Sequence, residues 1–356
     1  MQRALRLAER GLYTTDPNPR VGCVIVKGGD IVGEGWHRRA GEPHAEILAL
    51  SKAGDKAAGS TLYVTLEPCS HYGKTPPCAE ALVSAGVARV VAAMQDPNPA
   101  VAGSGFQHLQ QQGIDVETGL LEQAARKVNP GFIKRMESGR PYVRIKLAMS
   151  LDGRTAMASG ESQWITSAAA RTDVQRLRAR SSVILTGIDT VLHDDPSLNV
   201  RLTPEQLGIA GDVRQPHRVV LDSHLRFPPD AKMLTLAGRT TVLTTQQGDG
   251  VPGCDIVSIE AIAGQLDLQR VMSWLDRNQA NEVLVEAGAT LCGALLQRKL
   301  VDEIVVYIAP HIMGSHARGL FSIPGLEHMT DRIRLNIMDV RQLGEDLRIT
   351  AVPVDN

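Results

Sequence analysis

One histidine, two cysteines and a glutamate constrain this chain more than any other residues. His44-Ala45-Glu46 reads as the start of a helix, Pro68-Cys69 follows a strand-like run, and Cys78 comes after a gap of eight residues. One imidazole and two thiolates make a three-ligand zinc set that leaves the fourth tetrahedral position to water. A fold that uses them has to bring a helix start, a strand end and a second helix start to one point. Zinc lowers the pKa of such a water. Glu46, two residues beyond His44, can face the open position without binding the metal, and it can carry a proton from the water to a leaving group.

Each residue also has a plainer reading. A His-x-Glu triplet occurs in helices by accident, and two cysteines at this distance suit buried apolar positions or half of a structural zinc site. No fourth His or Cys is obviously paired with the three, which favours an open site. Cys23 lies in a strand and reads as core.

At 356 residues the chain suits two domains rather than one core. Lys plus Arg (38) nearly cancels Asp plus Glu (39), so no global field marks a nucleic-acid or membrane partner. The amino-terminal residues lack the long apolar run of a signal peptide, and no segment reaches the roughly 18 apolar residues that cross a bilayer. Five scattered cysteines do not suggest a disulfide framework, so a reducing, cytoplasmic setting is expected.

Strand-like and helix-like runs alternate, which predicts α/β architecture. The first part reads as a helix at 2–12, strands at 21–27 and 31–36 about a Gly28-Gly29-Asp30 turn, a helix at 44–53 and a strand at 61–66. A helix at 76–85 and a strand at 88–94 follow. A helix-compatible stretch, LLEQAARKVNPGFIKRMESG, ends at Gly139 with Pro141 close behind, ordinary stop punctuation. The boundary is placed there, giving domains 1–140 and 141–356. The second part reads as a strand at YVRIKLAMS, a helix at 167–180 and strands at 182–186, 217–221 and 241–245. NEVLVEAGATLCGALLQRKL then reads as strand, glycine turn and helix. The amides of that turn suit a phosphate at a helix N-terminus, although simple turn chemistry explains the glycines equally well. Asp194-Asp195-Pro196 reads as a carboxylate pair or a helix-end turn.

The strings NPRVGCVIV, EPHAE and TLEPCSHYGKTPPC carry a specific resemblance. The order His-x-Glu…Pro-Cys is that of zinc nucleobase deaminases, but their second cysteine comes after two residues rather than eight. With the stretched cysteine loop, the first domain resembles the deaminase half of the bifunctional riboflavin-biosynthesis deaminase/reductase family. KLAMSLDGRTA, ESQWIT, DVQRLRARSSVILTGIDTVLHDDPSLNVR, VLDS and VEAGATLCG resemble, in order, its reductase half. The resemblance implies a cytidine-deaminase-like zinc domain followed by a dihydrofolate-reductase-like domain, whose mixed sheet is flanked by helices.

The implied reactions are hydrolytic loss of the 2-amino group from 2,5-diamino-6-(5-phosphoribosylamino)pyrimidin-4(3H)-one, then NADPH-dependent reduction of the ribosyl group to ribityl. By motif position, His44, Cys69 and Cys78 would hold zinc and Glu46 would be catalytic. Asn18, His37, His71 and Lys74 would line the deaminase pocket. Ala148, Trp164, Thr190, Asp194, Ser223 and the turn Gly288, Ala289, Thr290, Leu291, Cys292 and Gly293 would hold NADPH. Ser162, Arg178, Leu198, Arg201 and Glu286 would hold the reductase substrate, Arg178 and Arg201 meeting its phosphate. Lys146 and Asp152 are given a supporting role. Ala287 stands where relatives often have glycine, which a negative φ tolerates.

Two other readings stay open at this point. A nucleic-acid-editing deaminase shares the zinc chemistry but predicts a basic groove and stacking aromatics, against near-zero net charge and 3% aromatics. A chain with one catalytic and one structural domain would not need both motif sets. The expected partner is thus a small phosphoribosylated pyrimidine, with no nucleic acid or membrane, in a homo-oligomer.

Overall fold

The computed structural model describes residues 1–70, 77–99, 101–248 and 250–354. The chain divides into two compact units, Met1–Arg140 and Pro141–Asn356.

The first unit runs α1 (Gln2–Glu9), β1 (Gly22–Lys27), β2 (Asp30–Trp36), α2 (Ala45–Ala53), β3 (Thr61–Val64), α3 (Cys78–Ser84) and β4 (Arg89–Ala92). It ends with α4 (Ser104–Gln111), β5 (Asp115–Thr118), α5 (Glu122–Val128) and α6 (Pro130–Ser138). Its five strands form a mixed sheet in the order β2-β1-β3-β4-β5. β1 runs antiparallel to β2 and β3, whereas β3, β4 and β5 are parallel. Gly28 and Gly29 form the two-residue β1–β2 loop, both at positive φ, which twists the hairpin to match its strands.

Small residues set how closely α2 lies on this sheet. Ala45, Ala49 and Ala53 recur at helical spacing and are buried. They face Gly33 and Gly35, which share one face of β2; a Cβ added there would come within 2.3 Å of the Ala49 carbonyl oxygen and 2.5 Å of that of Ala45. The helix start that bears His44 and Glu46 is thereby seated against the sheet.

The helix-compatible stretch before Gly139 is two helices rather than one. It breaks at Asn129-Pro130, where proline has no N–H to continue the ladder. Asn129 instead pairs with the backbone of Arg20, accepting from its N–H at 2.8 Å and donating to its carbonyl at 2.8 Å.

The second unit runs β6 (Tyr142–Ser150), β7 (Arg154–Ala156), α7 (Ala168–Arg180), β8 (Val183–Gly187), α8 (Ile188–Asp194), α9 (Pro204–Leu207) and β9 (His217–Leu221). It continues with β10 (Thr240–Thr244), β11 (Asp255–Ser258), β12 (Ala261–Ile262), β13 (Gln265–Leu266), α10 (Leu268–Arg277) and β14 (Glu282–Val285). The last elements are α11 (Ala289–Gln297), β15 (Glu303–Ala309), β16 (Arg318–Gly319), β17 (Leu335–Leu343) and β18 (Asp346–Pro353). A nine-stranded sheet has the order β11-β10-β9-β8-β14-β6-β15-β18-β17. It is parallel from β11 to β15, and β18 and β17 complete it antiparallel. The central strands are buried and read as nearly continuous apolar runs, as covered parallel strands do.

The two ends of this parallel sheet differ. At the amino-terminal ends, Arg144 is buried between Glu282, at 3.0 Å, and Glu303, and Arg180 reaches Glu282 at 3.0 Å. At the carboxyl ends the strands lead into Glu286, Ser223 and α8, the edge where open α/β sheets form their ligand crevices.

Candidate active sites

In the first unit, His44 is the N-cap of α2, Cys69 follows β3 by a short turn, and Cys78 is the first residue of α3. Their ligand atoms lie within 4.8 Å of one another. The His44 Nδ1 is 3.3 Å from the Cys78 sulfur and 3.6 Å from that of Cys69. Nitrogen and sulfur ligands at zinc bond lengths stand about 3.5 Å apart around a tetrahedral ion. The spacing and the mixed imidazole–thiolate chemistry both fit zinc. Hydrogen bonds from Cys78 and His44 pull the Cys69 thiol down to about 4, so this cluster already favours a thiolate.

Glu46 is buried in the first turn of α2. Burial raises its carboxyl above the usual range, with His44 pulling the other way and Cys78 within hydrogen-bonding reach. A desolvated carboxylate beside the metal ligands, not spent on a counter-ion, is poised for proton transfer.

His37 is buried, its ring edge-on to that of His44 with centroids 5.3 Å apart. Its Nδ1 lies 3.3 Å from the Pro43 carbonyl and its Nε2 3.0 Å from the Asn18 amide nitrogen. These partners assign the neutral tautomer, with Nδ1–H donating to Pro43 and Nε2 accepting from Asn18. Burial lowers its pKa and keeps it neutral. Asn18 is therefore oriented by His37 and sits in the same neighbourhood. His71 and Lys74 lie outside the described residues. Cys23 is fully buried in the core, where desolvation pushes its thiol up.

In the second unit, Glu286 ends the β14 turn and forks with Arg178: Nε donates to Oε1 at 2.6 Å and Nη2 to Oε2 at 3.0 Å. Arg178 Nη1 donates to the Asn199 carbonyl at 3.0 Å. Burial alone would raise the Glu286 carboxyl, but Arg178, Lys146 and Arg201 outweigh it and hold it below the usual range. Lys146, a supporting residue by sequence, faces the same carboxylate from β6, and desolvation lowers its pKa. Several cations around one carboxylate leave the local charge positive, which suits a phosphate.

The Arg178 fork, placed by sequence at the substrate phosphate, is engaged by Glu286. The Arg201 backbone is fixed by Gln175, which accepts its N–H at 2.9 Å, while its exposed side chain reaches Asn199 at 3.2 Å.

The Leu198 side chain is buried with Ile188, Val191 and Phe227, and its backbone takes a left-handed φ of 41°. In the glycine turn, Gly288 is the exposed N-cap of α11, where a Cβ would meet nothing within 4 Å. Ala289, Thr290 and Leu291 form the first turn, and Ala287 is absent from the residues at positive φ. Cys292 and Gly293, also placed by sequence with the cofactor, are buried in α11. Cys292 is fully buried, with its thiol pushed up to about 12 by desolvation, and a Cβ on Gly293 would fall 2.1 Å from the Ser322 carbonyl oxygen.

Ala148 lies half-buried in β6, Thr190 half-buried in α8 and Asp194 exposed at its last position. The Ser223 hydroxyl, just past β9, lies 3.3 Å from Gln265 Oε1 and accepts from the Leu266 N–H at 3.2 Å. Ser162 is half-buried, and Trp164 is 71% exposed with the Arg171 guanidinium 4.8 Å from its ring. Asp152, given a supporting role by sequence, accepts from Ser150 and from the Met313 and Gly314 amides, which hold its carboxyl down to about 2.

Comparison with known proteins matches both halves. The cytidine and deoxycytidylate deaminase zinc-binding region matches residues 1–94, and the RibD C-terminal domain matches residues 141–349. Riboflavin biosynthesis protein RibD of Escherichia coli is 55% identical over 99% of this chain and 98% of its own length. A crystal form of Acinetobacter baumannii RibD is 49% identical, covers 99% of this chain and 98% of that one, and superposes with a TM-score of 0.92. The Thermotoga maritima diaminohydroxyphosphoribosylaminopyrimidine deaminase/5-amino-6-(5-phosphoribosylamino)uracil reductase is 32% identical, covers 99% of this chain and 97% of that one, and superposes with a TM-score of 0.88. With likeness running along the whole chain and through both units, the chain belongs to the RibD family of riboflavin-biosynthesis proteins.

Proposed function

We propose that residues 1–140 deaminate 2,5-diamino-6-(5-phosphoribosylamino)pyrimidin-4(3H)-one and that residues 141–356 reduce the resulting 5-amino-6-(5-phosphoribosylamino)uracil with NADPH. The observation that carries this is the convergence of His44, Cys69 and Cys78 beside buried Glu46, in a chain that also holds a complete reductase unit of the same family.

Zinc held by these three side chains would supply a Lewis acid that acidifies a water. Glu46 passes on the water's two protons in turn, the first to the ring nitrogen and the second to the amine that leaves as ammonia. Asn18, held by neutral His37, offers an amide to the edge of the pyrimidine; His71 and Lys74 are assigned to the same pocket by motif. NADPH would supply the hydride. Gly288 to Leu291, Ala148, Trp164, Thr190, Asp194 and Ser223 would hold it along the carboxyl ends of the strands. Glu286, fixed by Arg178, orients the sugar, with Ser162 and the Leu198 backbone beside it, and Arg201 meets the phosphate.

Arg201→Ala is expected to raise the reductase KM about tenfold with little change in kcat, the loss of one charge-assisted contact at an exposed side chain. Steady-state kinetics with the deaminated intermediate measure it, and unchanged kinetics would make Arg201 a surface arginine.

No helix among the described residues is long and apolar enough to cross a membrane, and all five cysteines are unpaired, which supports a reducing cytoplasm as the setting. A homo-oligomer is proposed on general grounds of symmetry in enzymes of this size.

The deciding experiment supplies the diaminopyrimidine ribotide to the purified protein, following ammonia first and NADPH consumption after its addition. Ammonia release followed by NADPH oxidation is expected. Ammonia without oxidation removes the second activity, and neither signal refutes the reading.

A further inference from the structure

Glu67 stands two residues before Cys69. Its side chain is only 4% exposed, and a carboxylate so buried requires donors for its lone pairs. All four come from backbone amides in one later stretch of chain. Oε2 accepts from Asp96 at 3.1 Å and Gly103 at 3.0 Å; Oε1 accepts from Gly105 at 2.8 Å and Phe106 at 3.3 Å. Three of these amides begin α4, whose own N-cap is a glycine at φ 81° with no side chain to offer. Glu67 supplies the missing cap from the loop after β3, with its negative charge at the positive end of the helix dipole.

The residues on either side of Cys69 follow onto the same turn of α4. A Cβ on Gly105 would stand 2.0 Å from the Pro68 carbonyl oxygen, so only glycine allows that approach. The Ser70 hydroxyl lies 2.7 Å from that of Ser104. From the other direction, the Ala79 N–H donates to the Cys69 carbonyl at 3.1 Å and the Cys78 N–H to its sulfur at 3.3 Å. Cys69 is thus clamped between the first turns of two helices.

We propose that Glu67 is a positioning residue for the metal: by capping α4 across the fold, it holds the Cys69 sulfur at the ligand position and slows metal loss. The proposal rests on the zinc reading of His44, Cys69 and Cys78. Glu67→Gln keeps the shape but turns an NH2 group toward amide donors, and Gly105→Ala pushes on the Pro68 carbonyl with Glu67 intact. Losing an outer partner of a metal ligand costs about 10–100-fold in affinity or activity.

The test loads full-length protein with zinc and follows transfer of zinc to a chromophoric chelator, alongside thermal unfolding and reductase activity. Ile25→Ala, a core truncation in the same unit at a residue outside the His44, Cys69 and Cys78 set, is the control for general destabilisation. Both Glu67→Gln and Gly105→Ala are expected to release zinc at least about tenfold faster than wild type. Ile25→Ala should release it near the wild-type rate despite a lowered Tm, and reductase turnover should stay constant throughout. Wild-type release rates in Glu67→Gln would overturn the proposal. So would an Ile25→Ala protein of similar Tm that loses zinc as quickly. A wild-type protein that takes up no zinc at all fails at an earlier point, in the metal reading itself.

Discussion

Glu46→Gln is expected to cut deamination about a thousandfold, leaving zinc content and reductase activity at wild-type levels. General acid–base catalysis by a placed side chain contributes about 10²–10⁴-fold, and Glu46 is the carboxylate beside the metal ligands with no counter-ion fork to occupy it. Glutamine keeps the volume and the helix position but cannot accept the water's proton. Removing a buried charge also removes its desolvation cost, so the Tm should not fall. Ammonia release, metal analysis and NADPH oxidation on one preparation test this together. Deamination within about tenfold of wild type would take Glu46 out of the proton path. Lost zinc would recast it as structural.

Cys69→Ser is expected to abolish deamination by a different route. A neutral hydroxyl is a poor substitute for thiolate on zinc, and two remaining protein ligands would not retain the ion. Metal binding contributes folding energy, so the first unit should also unfold at lower temperature, whereas the reductase keeps its activity. Zinc per chain and the Tm, with and without chelator, are the measurements. Chelator should move the wild-type transition toward that of the variant and leave Cys69→Ser unmoved. Stoichiometric zinc in Cys69→Ser would refute the ligand assignment.

The two expected effects separate two roles that meet at one cluster of side chains. Glu46→Gln leaves the metal and removes the proton carrier, whereas Cys69→Ser removes the metal and loosens the unit around it. Glu67→Gln falls between them, with a ligand set intact in composition but loosely held. Only the rate of zinc release distinguishes the last from ordinary destabilisation.

The α/β architecture was legible because it depends on local chemistry. The apolar runs VILTG and EVLV, the glycine hairpin at 28–29 and the strand–turn–helix ending in α11 are read from neighbours along the chain. The end strand β17 was not, because it is exposed along nearly its whole length and carries no buried face to set a period of two. The break at Asn129-Pro130 had a visible proline, but the pairing of Asn129 with Arg20, across more than a hundred residues, had no local signal.

The same division runs through the sites. By itself the sequence determined the donor chemistry: one imidazole, two thiols and a nearby carboxylate, whose types and order restrict what they can bind. The tertiary structure decided which groups remain available. It spends the Arg178 fork on Glu286, leaves Arg201 exposed, turns Cys292 and Gly293 into the packing and assigns Glu67 to cap a helix some forty residues later. A side chain's type sets the bonds it is able to make, and that is written in the sequence. Which of those bonds are already made depends on partners that only the folded chain brings within 3 Å.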